Sequence, residues 1–426
     1  MSLSTSSYKG TRDLYPDDMR VRNYVFRKWR QVVESFGYEE YDAPMLESLE
    51  LYAAKSGQEI VNDQTYRFTD RGDREVAIRP EMTPSIARMV AARRQEVALP
   101  ARLYSIGNFM RYERPQKGRE REFWQLNFDV FGAEGIAADI ETLSLSSAIV
   151  KTFGATDDMF TIRVNDRRLT DYVIREYLGM AGPDQMMQTV KLLDRREKLS
   201  SDEFSQQAKA IMDSDEFVTR LATLASLDSL DEIAARLSDQ SVVEPLQTLI
   251  AALTARGITN IKFDPTLMRG FDYYTGIVFE IFDEAPENRR AMFGGGRYDG
   301  LVGLFGVEDL PVVGAAPGET MFIEFLTAHG LLPNLRPATQ LIVLEIGGAD
   351  STDIVSTLRR RGLNVAVDFT DRKTDKKIKA AAKAGVSYAL FVGNDELDSG
   401  QFPLKNLATG EQSDLDLEQV VVRVAA

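Results

Sequence analysis

The chain has 426 residues, which is enough for two or three domains with hydrophobic cores of their own. It contains no cysteine and one histidine, His329, so disulfides and thiolate metal sites are excluded and catalysis by histidine is nearly excluded. The formal net charge of -14 argues against unselective binding of nucleic acids, although a local basic patch could still bind one specific RNA.

The N-terminal stretch MSLSTSSYKG lacks the apolar segment of a secretion signal, and no apolar run elsewhere is long enough to cross a bilayer. We therefore expect a cytoplasmic protein that does not associate with membranes, and the absence of cysteine fits that compartment. Basic clusters occur at residues 114–121, 359–361 and 372–383, and each of them alone is equally typical of a solvated helix face.

A helix is predicted to begin at Pro16, because two acidic residues follow it in the first turn. Apolar residues then recur at helical spacing until Gly37, which indicates a face packed on a core. The members of this stripe are Val21, Val25, Trp29, Val32 and Phe36. An extended run at residues 38–44 ends in Pro44, which cannot donate to a strand ladder and so favours an edge strand.

Residues 65–69 and 75–79 flank a Gly-Asp turn and predict a β-hairpin. The hairpin continues into RPEMTP, where Thr83 and Pro84 predict an N-cap and the first residue of a helix. Glu81 thus lies at a junction between a strand and a helix. Its carboxylate could cap the helix or could receive a ligand, and the spacing alone does not decide between them.

The most informative stretch is residues 104–132, YSIGNFMRYERPQKGREREFWQLNFDVFG. Its alternation of apolar and polar residues predicts two strands joined by a long loop that contains the basic cluster at residues 114–121 and is called the basic loop below. In that arrangement Arg111, Glu113, Gln125 and Asp129 can share one face of the sheet, because side chains at even spacing point the same way. Such a face is costly to bury without a polar ligand, although a solvated hairpin with surface charges would show the same pattern.

Residues from about 166 to 257 are mostly helical in pattern, and strands return at residues 258–263 and 277–281. Between these strands, Arg269 precedes Tyr273 and Tyr274, and a guanidinium beside two phenols suits a site for an anion and a planar ring. A turn with buried tyrosines would look similar. In FGGGRYDGL the glycines allow the backbone to approach a ligand closely, and Tyr298 follows them.

The C-terminal region follows a linker-like segment at residues 333–337 and alternates strands with helices. The predicted strands are residues 340–346, 364–369 and 387–392, and the predicted helices are residues 351–361 and 374–384. This alternation predicts an α/β domain with a mostly parallel sheet. His329, in TAHGLLP just before the linker, is expected at a helix end in a structural role.

Several of these segments resemble the histidyl-tRNA synthetase family of class II aminoacyl-tRNA synthetases. RYERPQKGR followed by F-x-Q-x-x-x-D resembles motif 2, YEEYDAP resembles motif 1, and RPE-x-T resembles a segment that holds a substrate ammonium. RGFDYYTG and FGGGRYDG resemble two segments specific for histidine. DRKTDKKIKAAAKAG and FPLKNLATGEQ resemble the anticodon-binding domain, so the resemblance covers essentially the whole chain.

The resemblance implies an α+β fold with an antiparallel-sheet catalytic core, a helical insertion and a C-terminal α/β anticodon-binding domain. The implied boundaries are residues 1–165 and 258–332 for the core, 166–257 for the insertion and 338–426 for the anticodon-binding domain. It also implies a homodimer with motif 1 at the interface. The implied reaction activates histidine with ATP and Mg²⁺ to histidyl-adenylate and then transfers histidine to tRNA(His).

The resemblance further implies roles for individual residues. Arg111 and Arg269 would clamp the α-phosphate and the amino-acid carboxylate during catalysis. The other residues expected at ATP are Glu113 at the adenine amino group, Arg119 or Arg121 at the outer phosphates, and Met321. Those expected at histidine are Glu81, Thr83 and Gln125 around the ammonium, and Asp129, Tyr273, Tyr274 and Tyr298 around the imidazole. Gln116 and Lys117 would meet the tRNA acceptor end, Arg114 is expected to be solvent-exposed, and no metal-ligating side chains are implied.

Motif 3 departs from the family pattern. The family reads like G-x-A-x-G-x-E-R, whereas this chain has GAAPGETM, with Met321 at the arginine position and no arginine before Arg336. Methionine can pack on a purine through its polarisable sulfur but supplies no charge. The chain could be an active enzyme with a modified adenine pocket, or a catalytically silent paralogue that acts as a histidine-sensing regulatory subunit. The retained histidine-specific segments and C-terminal region favour the enzyme.

Overall fold

The computed structural model describes residues 3–53, 63–116, 118–196, 199–227, 229–267, 274–288 and 290–425. Lys117, Arg269 and Tyr273, which the sequence places in the site, lie outside these ranges. The chain divides into two compact units, residues 1–13 with 22–332 and residues 14–21 with 333–426. Within the described ranges, no helix has both the length and the apolar character needed to cross a membrane.

Two kinds of element make up the described chain before residue 333. The helices are α1 (Pro16–Ser35), α2 (Leu49–Ala53), α3 (Thr83–Ala92), α4 (Ala137–Lys151), α5 (Arg167–Tyr172), α6 (Pro183–Asp194), α7 (Ser201–Ile211), α8 (Asp215–Leu224), α9 (Leu230–Ala234), α10 (Glu244–Thr254) and α11 (Glu319–Ala328). The strands are β1 (Glu39–Glu40), β2 (Leu46–Ser48), β3 (Arg67–Thr69), β4 (Glu75–Ile78), β5 (Ala101–Met110), β6 (Glu122–Phe131), β7 (Phe160–Asp166), β8 (Ile261–Phe263), β9 (Ile277–Asp283), β10 (Ala291–Arg297) and β11 (Val312–Ala315).

The central sheet has the strand order β1-β5-β6-β11-β10-β9-β7-β8 among the described residues. Its interior pairs are antiparallel, and only the short edge strands β1 and β8 pair in parallel with their neighbours in this part of the chain. Strands β5 and β6 pair along their whole length, from Ala101 opposite Phe131 to Met110 opposite Glu122. The expected antiparallel catalytic sheet is confirmed.

One face of this sheet is covered by α1, which begins at Pro16 as predicted. Val25 and Trp29 of its predicted apolar stripe are buried, whereas the other three members are partly buried. Trp29 packs edge-on against Phe322 of α11 with ring centroids 5.3 Å apart. On β6 the alternate residues Leu126, Phe128 and Val130 point into the same core. Because side chains alternate along a strand, Gln125, Asn127 and Asp129 lie on the opposite face.

The predicted hairpin is confirmed, since β3 and β4 pair antiparallel from Arg67 opposite Ala77 to Thr69 opposite Glu75. Strand β2 extends it into a small three-stranded sheet. The predicted N-cap is wrong by one residue, because α3 begins at Thr83 itself and Met82 precedes it without a side-chain cap. Pro84 has no N–H to donate and is therefore tolerated in this first turn.

Helices α5 to α10 occupy the stretch between β7 and β8, as the helical texture of the sequence predicted. They are supplemented by a short π-helical segment, Val173–Tyr177, and a 3-10 turn, Gln240–Val243. Their buried side chains, such as Leu193, Leu221 and Leu246, belong to the same hydrophobic core as the strands of the central sheet. Among the described residues, the core of the inserted helices is therefore continuous with that of the central sheet.

The second unit contains a five-stranded sheet in the order β13-β12-β14-β15-β16. Its strands are β12 (Leu341–Glu345), β13 (Val365–Val367), β14 (Tyr388–Val392), β15 (Phe402–Asn406) and β16 (Gln412–Leu415), and its helices are α12 (Thr352–Arg360), α13 (Thr374–Lys383), α14 (Asn394–Ser399) and α15 (Leu417–Ala425). The α/β class is confirmed.

The prediction of a mostly parallel sheet in this unit is wrong. Strands β12, β13 and β14 pair in parallel, but β14 pairs antiparallel with β15 and β15 pairs antiparallel with β16. The loop between β15 and β16 spans only residues 407–411. A parallel connection needs a crossover of about a dozen residues, so a loop this short dictates an antiparallel hairpin.

Candidate active site

The candidate site is built on the face of β6 that looks away from α1. Asp129 lies near the end of this strand and is only 5% exposed. The neighbouring strand β11 places Gly314 directly opposite Asp129, where a Cβ atom would collide with the carboxylate. Glycine at this position therefore leaves the room that the Asp129 side chain occupies.

Two phenols that the resemblance implies around the imidazole, Tyr274 and Tyr298, lie near the Asp129 carboxylate. The hydroxyl of Tyr298 donates to Oδ1 of Asp129, and the ring of Tyr274 meets the ring of Tyr298 edge-on at 6.4 Å. A Cβ atom at Gly296 would lie 2.9 Å from the Tyr274 ring, so this glycine makes room for the phenol. Burial raises the pKa of Asp129 to about 7, and the hydrogen bond from Tyr298 opposes that rise.

Glu81 closes the same pocket from the start of α3. Its side chain is 3% exposed, and it lies two residues before Thr83, the first residue of α3. Burial raises the pKa of the Tyr274 phenol well above its ordinary value, and the charges of Glu81, Asp129 and Glu280 add to the effect. A pocket with this many carboxylates around one phenol suits a positively charged ligand.

Gln125 and Thr83 lie at the rim, and both are partly exposed. Gln125 pairs with Gly107 of β5 on one side and bridges to Gly318 on the other. The backbone N–H of Leu126 donates to the carbonyl of Pro317 at 2.9 Å. The turn before α11 is thus docked on β6 beside the predicted ammonium-binding residues.

Arg111 lies just beyond β5 and extends the polar face. Its N–H donates to the carbonyl of Arg121 at 2.8 Å, and its guanidinium Nε donates to the carbonyl of Pro80 at 2.9 Å. The same guanidinium lies over the ring of Phe123, with a distance of 5.2 Å from Cζ to the centroid. Arg111 therefore contacts both Pro80, the residue before Glu81, and Arg121, at the end of the basic loop.

Glu113 does not share the sheet face with Gln125 and Asp129, because β5 ends before it. It is buried inside the loop, where its carboxylate forms an ion pair with the guanidinium of Arg119. Arg119 itself is half-exposed, and Arg114 is exposed as expected. The loop turns back at Gly118, and the carbonyl oxygen of the Gln116 side chain accepts a hydrogen bond from Arg290 at 2.7 Å.

Arg121, the other arginine that the resemblance implies at the outer phosphates, packs inside the loop. It is buried, and its guanidinium lies 3.9 Å from the centroid of the Tyr112 ring while donating to the carbonyl of Glu113. Tyr8 contacts the same guanidinium from the N-terminal segment. Of these two arginines, Arg119 is half-exposed, whereas Arg121 is buried within the loop.

Met321 is partly buried in the first turn of α11. Its sulfur packs so closely against Gly118, at the tip of the basic loop, that a side chain at Gly118 would collide with it. The residue at the arginine position of motif 3 is thus in contact with motif 2. Gly118 adopts φ +74°, a left-handed conformation that also favours glycine.

Sequence reasoning missed the residues that hold this loop from outside, namely Tyr8, Arg12, Arg290 and Glu319. Arg12 pairs with Glu120 and Glu319, which are far from it in the sequence, so no local spacing could have indicated these contacts. The one available signal was the acidic residue at the start of α11, since a buried carboxylate requires a cation.

His329 follows α11 and contacts Asp283 at 2.8 Å, a placement that fits the structural role expected for it. No group of three or more histidine, aspartate and glutamate side chains within the described ranges is arranged to hold a metal ion.

Comparison with known proteins extends this picture to the whole chain. Residues 10–318 match the family model for histidyl-tRNA synthetase, and residues 340–426 match the model for the anticodon-binding domain. The histidine–tRNA ligase of Leptospira biflexa is 41% identical over 429 residues, which cover 99% of this chain and 98% of the relative.

Solved structures show the same fold. Histidyl-tRNA synthetase from Nostoc aligns with a TM-score of 0.82 at 24% identity and covers 100% of this chain and 99% of that one. A Bacillus halodurans protein, described as an ATP phosphoribosyltransferase regulatory subunit/histidyl-tRNA synthetase, aligns with a TM-score of 0.76 at 22% identity, covering 92% of this chain and 100% of that one. At these identities the structures establish the fold and do not separate the enzyme from a regulatory relative.

Proposed function

This chain belongs to the histidyl-tRNA synthetase family, class II ligases that use ATP, and on that premise we propose that it activates histidine and transfers it to tRNA(His). The observation that carries the proposal is the buried carboxylate of Asp129, held between Tyr274 and Tyr298 and joined by Glu81. A buried carboxylate without a cationic partner costs free energy, and a ligand with an ammonium and an imidazole would recover it.

The histidine pocket is proposed to have two ends. Glu81, with Thr83 and Gln125 at the rim, would hold the ammonium through charge-assisted hydrogen bonds. Asp129 and the phenols of Tyr274 and Tyr298 would surround the imidazole, with Tyr273 assigned there from sequence alone. A site that forms hydrogen bonds with both ring nitrogens rejects apolar analogues strongly, because its buried polar groups would otherwise stay unpaired.

Activation requires the histidine carboxylate to attack the α-phosphorus of ATP, forming a new P–O bond as pyrophosphate leaves. Such a step needs positioning and neutralisation of charge more than covalent help from the protein. Arg111 would hold the α-phosphate, since its guanidinium lies between the segment of Glu81 and the base of the loop. Arg269 would approach from the other side, an assignment that rests on sequence alone.

ATP would rearrange the ion pair inside the basic loop. Glu113 and Arg119 neutralise each other in the structure. We infer that the adenine amino group takes the place of Arg119 beside Glu113, which frees the guanidinium for the outer phosphates. Met321 would pack on the purine through its sulfur. Mg²⁺ would be held mainly by the phosphates of ATP, as is usual for this ion, and would neutralise charge beside Arg111.

We propose that the acceptor end of tRNA(His) meets the tip of the basic loop at Gln116, which is exposed, and at Lys117. The second unit would bind the anticodon, as its match to the anticodon-binding family suggests. By analogy with the family, the chain would work as a homodimer in the cytoplasm, with motif 1 at the interface.

Phe369 is proposed to stack on an unpaired anticodon base. It is 83% exposed just after β13, in a segment that continues into Arg372 and the basic helix α13. An exposed aromatic ring beside cations suits single-stranded RNA. Phe369→Ala should raise the KM for tRNA in aminoacylation by about 5- to 150-fold, because one stacked base contributes about 1–3 kcal/mol.

The same variant should leave histidine-dependent ATP–pyrophosphate exchange unchanged, since that assay contains no tRNA. Phe369→Trp should retain the wild-type KM for tRNA. Val422→Ala is the matched control, because Val422 is an apolar residue of the same unit that is 70% exposed on α15. An equal change in the two alanine variants would place Phe369 outside the RNA contact.

Exchange of labelled pyrophosphate into ATP in the presence of histidine tests the proposed function itself. We expect robust wild-type exchange, with ATP affinity weakened by the missing motif 3 arginine, whose cation–π contact would contribute about 0.5–2 kcal/mol. Met321→Arg should then lower the KM for ATP. Absence of wild-type exchange at saturating substrates, restored by Met321→Arg, would instead favour the silent histidine-sensing regulatory paralogue.

A further inference from the structure

The N-terminal turn, residues 8–12, packs against the second half of the basic loop. The carbonyl of Gly10 accepts a hydrogen bond from the backbone N–H of Arg121 at 2.8 Å. Gly10 adopts φ +86°, and a Cβ atom there would lie 2.7 Å from the Arg121 side chain and 2.9 Å from the ring of Pro115. Because Gly10 has no side chain, the backbone of the turn can lie directly against the loop, and a larger residue at this position would collide with the loop.

Arg12, the last residue of this turn, contacts two carboxylates from different motifs. Its Nε lies 2.9 Å from the carboxylate of Glu120, at the end of the motif 2 loop. Its Nη2 forms an ion pair with Glu319, the first residue of α11 and part of motif 3. One guanidinium thus joins motif 2 to motif 3 through charge-assisted bonds.

Glu319 makes this cation necessary. Its side chain is 1% exposed, and a carboxylate that is buried without a counter-charge costs several kcal/mol. Burial also raises the pKa of Glu120, a shift that Arg12 opposes and Glu319 reinforces. Arg12 thus contributes to neutralising both carboxylates. The charge of Arg22 also interacts with Glu319, and Thr320 contacts the same group.

The ion pair between Arg12 and Glu319 lies in motif 3, where this chain departs from the family pattern G-x-A-x-G-x-E-R. In this chain the acidic residue comes one position earlier, at Glu319, and Met321 replaces the arginine. The first turn of α11 has consequently lost its cation toward ATP, while Arg12 brings a cation to the same turn from the N-terminal segment.

We propose that Arg12 is a positioning residue for ATP, which fixes the motif 2 loop relative to the first turn of α11. The proposal rests on the proposed function. Glu120 follows Arg119 directly, so holding Glu120 also holds the cation assigned to the outer phosphates. Glu319 lies two residues before Met321, so the same guanidinium fixes the sulfur assigned to the purine. Arg12 acts on ATP through these groups and does not touch it.

A purely stabilising role for Arg12 would have a different signature. Positioning of ATP predicts that the KM for ATP rises while the KM for histidine stays constant, because the histidine pocket is built on Asp129, Tyr298 and Glu81. General loosening of the fold would affect both substrates and lower the melting temperature. Comparing the two KM values therefore separates the roles.

The experiment is pyrophosphate exchange with the full chain, titrated with ATP and with histidine. Arg12→Ala should raise the KM for ATP by about tenfold and Glu120→Gln by less, because Glu120→Gln removes only one of the two ion pairs that Arg12→Ala removes. The double variant should be no worse than Arg12→Ala. Arg12→Lys should recover part of the loss, since lysine keeps the charge without the fork. Lys9→Ala, an exposed cation of the same turn, is the matched control and should match wild type.

Glu120→Gln keeps the proposal testable if Arg12→Ala fails to fold, because it leaves the pairing of Arg12 with Glu319 in place. Equal rises in both KM values, or an unchanged KM for ATP in folded Arg12→Ala and Glu120→Gln, would overturn the proposal.

Trypsin provides a readout that does not depend on activity, because the loop sequence contains Lys117 and Arg119, after which trypsin can cleave. Cleavage within the loop should be faster in Arg12→Ala and Glu120→Gln than in wild type and Lys9→Ala. Wild-type protein without exchange would contradict the proposed function alone, and the protease comparison would still report on the loop. Unchanged cleavage would refute the part assigned to Arg12.

Discussion

Replacing Arg111 with alanine is expected to lower the rate of histidine-dependent pyrophosphate exchange by about a hundred- to a thousandfold. This is the loss usually seen when one preorganised donor to a developing negative charge is removed. The KM for histidine should change little, because Arg111 is assigned to charge that develops in the transition state. Initial rates at saturating ATP and histidine provide the measurement.

The geometry around Arg111 supports a large effect. The guanidinium is held by the carbonyl of Pro80 and by the ring of Phe123, so it is oriented before any ligand arrives. Arg111→Lys should recover only part of the rate, because a lysine cannot donate two parallel bonds. Arg269→Ala is expected to behave like Arg111→Ala, on the evidence of the sequence alone.

Arg114→Ala is the matched control, since Arg114 belongs to the same loop and is exposed. It should leave pyrophosphate exchange within about twofold of wild type, because exposed charges contribute little to the energetics of a site. A loss in Arg111→Ala no greater than in Arg114→Ala would remove Arg111 from the catalytic assignment.

Asp129→Asn should make the unliganded protein more stable at alkaline pH while it abolishes tight histidine binding. In the folded protein the pKa of Asp129 is about 7, whereas in the unfolded chain it is about 3.9. Between these values unfolding releases a proton, so the contribution of this group to stability falls as pH rises and becomes constant above about pH 8, about one unit beyond the folded pKa. The full difference of about 3 pKa units corresponds to about 4 kcal/mol.

The stability advantage of Asp129→Asn over wild type should therefore grow by about 2 kcal/mol between pH 5.5 and pH 7 and should level off above about pH 8. Urea unfolding followed by tryptophan fluorescence at several pH values measures it. Asp139→Asn is the contrasting variant, because Asp139 forms a buried ion pair with Arg297. Its removal leaves a buried cation and should destabilise the protein. Parallel behaviour of the two variants would contradict the assignment of Asp129 as an uncompensated, ligand-directed charge.

Much of the catalytic sheet was predictable because one face of each central strand is apolar and the other polar. The alternation of side chains from Gln125 to Asp129 requires the polar face of β6 to lie opposite the core that α1 covers, whatever the order of the strands in the sheet. Strand alternation alone does not predict that Asp129, Tyr274 and Tyr298 lie near one another. That expectation came from the family resemblance, because the separation of these residues in the sequence carries no information on their distance in space.

The features of the fold and the site that could not be predicted depend on contacts that leave no local pattern in the sequence. Arg119 and Arg121 are chemically alike and two residues apart, and the loop alone decides that one is exposed and the other buried. The pairing of Arg12 with Glu319 joins the two ends of the first unit. In the C-terminal unit, alternation identified strands but not their direction, which follows from the length of the loop between β15 and β16.

The shared core of the inserted helices and the central sheet has a consequence for folding cooperativity. Because Leu193, Leu221 and Leu246 belong to the same core as the catalytic strands, unfolding of these helices would expose part of that shared core to water. Helices α5 to α10 and the sheet should therefore form one cooperative unit with a single unfolding transition. A destabilising substitution deep in these helices, far from any ligand, would lower the population of folded histidine pockets as effectively as one beneath β6.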